Sequence, residues 1–279
     1  MRVARCIDEQ GRTRWVEPAG TKLGLAYAAD SLFDALKPTD EQVRVAHWLA
    51  PVQAANVYGI GLNYRAHAAE TGARLPETPV MFMKPSTAVT GPGSPILLPA
   101  ACDKGPEVDY EAELAVIIGR TARNVSVGHA LDYVFGYSCA NDVSARRWQK
   151  HAGGGQWVRG KSFDTFCPLG PALVTADEIP DPQSLAISSV LNGATMQSSN
   201  TRDMIFPVAE LIAFISRDTT LLPGTVILTG TPEGVGFARN PPLFLADGDM
   251  IEITVDGIGT LSNPVRHALS GSGPPMSGA

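Results

Sequence analysis

Apolar residues recur along this chain in short runs with a two-residue beat, interrupted every few positions by glycine or proline, and stretches of helical spacing are few. Val3 to Ile7 and Thr13 to Val16 alternate around Asp8-Glu9-Gln10-Gly11, the pattern of a hairpin. A short helix is expected next, with Ser31 capping Leu32 to Leu36 and Pro38 ending it. From Asn56 onward the pattern predicts strands over 57–61, 79–83, 96–98, 111–118, 134–140, 172–175, 187–191, 226–229, 250–255 and 259–261. Helical spacing is confined to 66–70, 144–150 and 208–218, the last with Leu211, Ile212 and Ile215 on one face. Many short strands with few helices argue against a doubly wound parallel sheet and for a mainly β, α+β chain that closes or folds over on itself. The change of texture divides it into a small N-terminal α+β unit over 1–52 and a larger one over 53–268. The serine-, glycine- and proline-rich end, 269–279, is expected to be a disordered tail.

One run breaks the apolar pattern. Tyr110-Glu111-Ala112-Glu113-Leu114-Ala115-Val116-Ile117-Ile118-Gly119 reads as a buried strand, yet it carries two carboxylates. Residues two apart on a strand share a face, so Glu111 and Glu113 point together, opposite Leu114, Val116 and Ile118. An ionised pair in apolar surroundings is costly unless a positive charge neutralises it, and a hard divalent cation, which prefers oxygen ligands, would do so. The alternative is an edge strand with two solvated glutamates. A third carboxylate, Asp142, stands where the 134–140 strand runs into the 144–150 helix, a position that helix capping alone would explain. Positions 142, 146 and 149 nevertheless follow the i, i+4, i+7 spacing of one helical face, so Asp142, Arg146 and Gln149 can line one wall.

Composition narrows the function classes. The chain has 279 residues, 44% hydrophobic and 18% charged, with a net charge of −6. That is an ordinary globular composition, and a net negative charge without a basic run argues against nucleic acid as a partner. No apolar stretch is long enough to cross a bilayer and the N-terminus lacks a signal-like apolar core, so the cytoplasm is the expected location. Cys6, Cys102, Cys139 and Cys167 are scattered without metal-binding spacing, which suggests neither a disulfide scaffold nor a zinc site.

Other segments carry candidate chemistry. In Gly61-Leu62-Asn63-Tyr64-Arg65-Ala66-His67-Ala68-Ala69-Glu70, Asn63 can cap a short helix that sets His67 and Glu70 at i, i+3. A carboxylate beside an imidazole fixes its tautomer and raises its basicity, although a plain surface pair has the same spacing. Lys84 and Lys161 stand in apolar or glycine-rich settings, where each can hold an anion or reach out to solvent. The glycine run after His151 suggests a mobile loop. Thr229-Gly230-Thr231-Pro232-Glu233-Gly234-Val235-Gly236 reads as a tight turn after a strand, with Thr231 offering a hydroxyl.

Taken in order, Gly-Leu-Asn-Tyr-x-x-His-x-x-Glu (61–70), Lys-Pro-Ser-Thr-Ala (84–88), Tyr-Glu-x-Glu-Leu (110–114), Asn-Asp-Val-Ser-Ala-Arg (141–146), Gly-Lys-Ser-Phe-Asp (160–164) and Thr-Gly-Thr-Pro-x-Gly-Val-Gly (229–236) resemble the fumarylacetoacetate hydrolase family over about 56–266. The resemblance implies a mixed β-roll, barrel-like catalytic domain, assembled as a homodimer. It implies Glu111, Glu113 and Asp142 as ligands of Mg2+, with Mn2+ or Ca2+ as alternative occupants. It makes His67 and Glu70 a water-handling dyad, sets Arg146, Gln149 and Lys161 near the reacting oxygen, and sets Lys84 and Thr231 around the bound acid. The activity implied first is hydrolysis of a carbon–carbon bond in an acylpyruvate or related 2,4-dioxo acid, through an enolate stabilised by the metal. Oxaloacetate decarboxylation and oxo-acid isomerase or lyase chemistry follow from the same logic, and a non-catalytic metal-binding paralogue is the non-enzymatic alternative. Substrate choice is expected to be set by the glycine-rich loop between Gln149 and Lys161 and by 198–203.

Overall fold

The computed structural model of the protein describes residues 1–29, 31–152 and 154–268; the tail expected from 269 lies outside the described residues. In chain order the strands are β1 (Arg2–Asp8), β2 (Thr13–Gly20), β3 (Leu23–Ala28), β4 (Lys37–Leu49), β5 (Val57–Gly61), β6 (Val80–Lys84), β7 (Val89–Thr90), β8 (Ile96–Leu98) and β9 (Val108–Asp109). They continue with β10 (Ala112–Ile118), β11 (Val134–Asn141), β12 (Ser144–Ala145), β13 (Cys167–Thr175), β14 (Ala186–Leu191), β15 (Ala194–Asn200), β16 (Val226–Leu228), β17 (Met250–Val255) and β18 (Gly259–His267). The α-helices among the described residues are α1 (Arg65–Glu70) and α2 (Val208–Ile215). The chain is thus mainly β, arranged in several sheets, as its apolar pattern predicts.

The expected hairpin is β1–β2, with Ala4 opposite Val16 and Ile7 opposite Thr13. The helix expected at 32–36 does not form. Ser31 caps only a turn, its hydroxyl accepting from Phe33 N–H at 3.2 Å and its carbonyl from Asp34 N–H at 3.2 Å. Pro38, expected to end that helix, instead lies in β4 opposite Tyr27. β4 pairs with β1 only through Val45 to Leu49, so at Pro38 the missing N–H faces no second neighbour. β1 pairs with both β2 and β4, and β3 with both as well, so the four strands close around a small core of Ala4, Cys6, Val16, Ala26, Val43 and Val45. β1 also joins β13 at Val3↔Leu173, which ties this unit to the main sheet.

That sheet runs on from β13 through β11, β10, β16 and β5 to β6. A second sheet, in the order β15-β14-β17-β18-β8, shares its core. β10 lies between β11 and β16 and every residue in it is buried, so Glu113 is no edge residue. β5 and β16 are parallel to each other and β16 is antiparallel to β10. The C-terminal ends of β5 and β16 therefore meet the N-terminal end of β10 and the C-terminal end of β11 along one rim. No helix among the described residues is long and apolar enough to cross a membrane.

Candidate active site

That rim gathers the acidic residues. Glu111 immediately precedes β10, Glu113 is its second residue, and Asp142 immediately follows β11; Asp142 N–H donates to the Glu111 carbonyl at 2.9 Å. Each of the three offers a carboxylate oxygen within 4.8 Å of the others, and all three are buried. Glu113 meets no cationic side chain among the described residues; its carboxylate accepts from Gly230 N–H at 2.7 Å. Burial pushes the Glu113 carboxyl well above the ordinary carboxylate value, and the charges of Asp142 and Glu111 push it further. Three hard oxygen donors that repel one another when ionised fit a divalent cation of the magnesium type.

Cations flank two of these acids. Lys161 Nζ lies 2.7 Å from Glu111 and 2.6 Å from Asp142. Burial would lower its basicity, but those two carboxylates outweigh burial and hold the ammonium above its usual value. Arg146 contacts Glu111 at 2.7 Å and Gln149 at 3.1 Å, and reaches back to Asp109 at 2.8 Å. Burial would raise the Glu111 carboxyl, but Lys161 and Arg146 hold it well below the usual range. Asp109 also accepts from Gly236 N–H at 2.8 Å and Phe237 N–H at 3.0 Å, so one buried carboxylate fixes both the arginine and the 230s turn. Arg146 opens a short helix that is π-wound over Trp148–Ala152, a geometry frequent at functional sites. Of the three residues expected along one helical face, Arg146 and Gln149 line the cavity, whereas Asp142 lies before the helix, which begins at Arg146 and not at Ser144, and does not line it.

His67 and Glu70 lie on α1, His67 Nδ1 standing 3.2 Å from Glu70 Oε2. The other Glu70 oxygen accepts from Gly234 N–H at 2.9 Å. Burial raises this carboxyl, but the hydrogen bonds from His67 and Gly234 bring it below its ordinary value. The cap of α1 differs from expectation. Asn63 does not cap it; its amide bridges the Thr229 and Phe206 carbonyls at 2.7 and 3.1 Å. Asp203 supplies the missing acceptor to Ala66 N–H at 3.0 Å. The 198–203 segment, expected to set substrate choice, therefore anchors the helix that carries His67 and does not line the pocket.

A cavity of about 230 Å³ opens onto this rim, lined by His67, Glu111, Glu113, Arg146, Gln149, Lys161 and Thr231 together with Ile60, Leu62, Lys150, Trp157 and Phe237. Glu70 stands behind His67. Lys84, expected around the bound acid, does not line the cavity: its buried ammonium contacts Asp142 and the Val143 carbonyl at 3.0 Å, where it positions a carboxylate. Gly61 is required for the apolar wall, because a Cβ there would lie 2.1 Å from the Trp157 ring. The loop expected between Gln149 and Lys161 contributes that tryptophan.

Gln197 has no local signature in the sequence. It is a buried residue of β15, a strand too polar to be recognised from its pattern. Its Oε1 accepts from Ala112 N–H at 2.9 Å, which fixes the amide orientation, since a backbone N–H can only donate. Its Nε2 then donates to Thr231 Oγ1 at 2.8 Å and to the Pro232 carbonyl at 2.9 Å. Thr231, whose oxygen is occupied as an acceptor, is left to donate its own hydrogen toward the cavity.

The sequence profile described as fumarylacetoacetate (FAA) hydrolase C-terminal matches residues 56–266. The chain belongs to this family. It is 48% identical over 218 residues to the mitochondrial oxaloacetate tautomerase fahd2 of Xenopus laevis, a match covering 78% of this chain and 67% of that protein. Among solved structures, the 5-carboxymethyl-2-hydroxymuconate delta-isomerase of Mycobacterium smegmatis has 40% identity and a TM-score of 0.82, covering 96% of this chain and 100% of that one. The fumarylacetoacetate hydrolase of Exiguobacterium antarcticum has 36% identity and a TM-score of 0.80, with 96% and 100% coverage. Family members therefore carry tautomerase, isomerase and hydrolase names on this fold, and the chain is an enzyme of that superfamily.

Proposed function

We propose that this enzyme moves a proton at the carbon beside the carbonyl of a 2-oxo acid, interconverting enol and keto forms of an oxaloacetate-like substrate. The observation behind this reading is an imidazole held by a carboxylate in a cavity that Glu111 and Glu113 also line, with Asp142 completing their buried acidic cluster. Identity of 48% to an oxaloacetate tautomerase supports the choice of substrate class. Glu111, Glu113 and Asp142 would hold Mg2+, or Mn2+ in its place, and the bound ion would supply Lewis acidity toward the 2-oxo carboxylate.

The chain's own residues do the rest. Glu70 fixes Nδ1 of His67, which leaves Nε2 as the atom that exchanges a proton with C3. In the ketonising direction C3 gains a proton from His67, the enol oxygen loses one to solvent, and His67 recovers its proton from solvent, so that enzyme and overall composition are unchanged. Thr231 donates to a substrate oxygen, and Gln149, steadied by Arg146, adds polarity beside the carbonyl. Ile60, Leu62, Trp157 and Phe237 limit water around the proton in transit.

Acylpyruvate hydrolysis is a second reading, favoured by the same dyad, since an imidazole backed by a carboxylate can also deprotonate water. Two assays separate them: decay of oxaloacetate enol absorbance, and coupled detection of pyruvate from a panel of acylpyruvates. The first reading expects rapid enol decay with little pyruvate release; pyruvate release without enol decay would replace it by the second. His67→Ala should lower the tautomerase rate on the order of 10²-fold or more, the usual worth of general acid–base catalysis, with divalent-ion binding retained.

A further inference from the structure

The cavity holds one cation that makes no ion pair among the described residues. Arg146 and Lys161 also line it, and each is in ion pairs with buried carboxylates. Lys150 is not. It follows Gln149 on the π-wound segment, and its Nζ lies 3.8 Å from the centroid of the Phe237 ring. Arg146 lies against the same ring at 4.3 Å, so Phe237 seats both cations at the cavity wall. Burial and the nearby Arg146 charge pull the Lys150 ammonium below its ordinary basicity, outweighing the attraction of Asp109, which is itself engaged by Arg146.

Charge balance indicates which ligand would complete it. With all four acids ionised, as an ion-bound site would have them, Asp109, Glu111, Glu113 and Asp142 are buried with Lys84, Lys161 and Arg146, leaving one negative charge in excess. Glu70 has Arg239 as its own neighbouring cation. A bound dication turns that excess into one positive charge, which the carboxylate of a 2-oxo acid cancels. A second carboxylate on the substrate would remain unmatched, and Lys150 is the cavity-lining cation available for it.

We infer that Lys150 binds the distal carboxylate of a dicarboxylic substrate and sets the preference of this site for 2-oxo diacids over 2-oxo monoacids. The inference rests on the proposed 2-oxo acid reading and sharpens it. An ammonium on a flexible stem suits a carboxylate whose distance from the carbonyl varies among substrates, whereas the planar guanidinium of Arg146 is fixed by Asp109 and Glu111.

The test uses the full chain with Mg2+ and the inert pair malate and lactate, which share a 2-hydroxy carboxylate and differ by the distal carboxylate. Calorimetry should give tighter binding of malate to the wild type, a loss of about tenfold for malate in Lys150→Met, as for one charge-assisted hydrogen bond, and unchanged lactate binding. Lys150→Arg should restore most of the difference. No malate preference in the wild type, or equal losses for both ligands, would overturn the inference. Deuterium exchange at C3 of oxaloacetate and of 2-oxobutyrate, followed by NMR, tests the tautomerase reading separately: absence of exchange in the wild type would sink that reading while the malate–lactate comparison still reports on Lys150.

Discussion

Residue by residue, the site is built from charges that are individually costly and collectively balanced. Glu111 is paired with Lys161 and Arg146, whereas Glu113 makes no ion pair among the described residues, and one backbone N–H and the charge of Lys161 are outweighed by burial and two like-charged neighbours. The acidic cluster and the His67–Glu70 pair were legible because carboxylates inside an apolar strand, and an imidazole three residues from a glutamate, are local anomalies. Lys84 meets Asp142 from outside the cavity, a side that a lysine in apolar surroundings does not reveal in the sequence. Asp109 and Gln197 were missed because their partners lie far along the chain. Gln197 offers a sharp test. In Gln197→Glu the side chain keeps its shape but its ionised form has no donor for Thr231, so the threonine hydroxyl should turn toward Gln197 and away from substrate. KM should rise several-fold, and the rise should vanish in a Thr231→Val background; an undiminished rise there would mean that Gln197 acts through strand packing instead.

The elements follow the same division between local and long-range information. β5, β10, β11, β14 and β17 have apolar or alternating runs and form within a residue of where the pattern puts them, whereas β18 runs on to His267, six residues past the expected 259–261, through a polar stretch held by pairing with β17 and β8. β15 escaped because Ala-Thr-Met-Gln-Ser-Ser-Asn lacks an apolar face, and it is held by pairing with β14 along its length. The turn at Ser31 replaced a helix because tertiary pairing of β4 with β3 takes Lys37 and Pro38 into a strand. At the end of β5, Gly61 admits the Trp157 ring, and this contact joins a central strand to the segment between Gln149 and Lys161. Gly61→Ala should push that ring aside and open the apolar wall. Steady-state kinetics should show KM rising more than kcat falls; unchanged kinetics would mean that the tryptophan contributes nothing to enclosure.

Across the whole molecule, the sheets exist at some electrostatic cost, because they converge on a rim that gathers acids. The four N-terminal strands close on themselves and join the main sheet through β1 and β13, on the side of β11 and β10 away from β5. The raised Glu113 carboxyl links this arrangement to pH. The native ion-free protein retains a proton there that the unfolded chain releases, so its stability should decline as pH rises through the folded value. A dication must displace that proton, so its affinity and the stabilisation it confers should grow with pH over the same interval. Thermal melts with and without Mg2+ across a pH series should show the two curves diverging upward, and a constant separation would contradict this linkage.

The proposed chemistry requires Glu111, Glu113 and Asp142 together to form one divalent-cation site beside His67. Anomalous diffraction from crystals grown with Mn2+ tests it most directly. A single strong peak at bonding distance from all three carboxylates, within the cavity that His67 lines, is the predicted result. A fully occupied peak elsewhere, with these three side chains bound only to Lys161, Lys84, Arg146 and Gly230, would rule the shared site out.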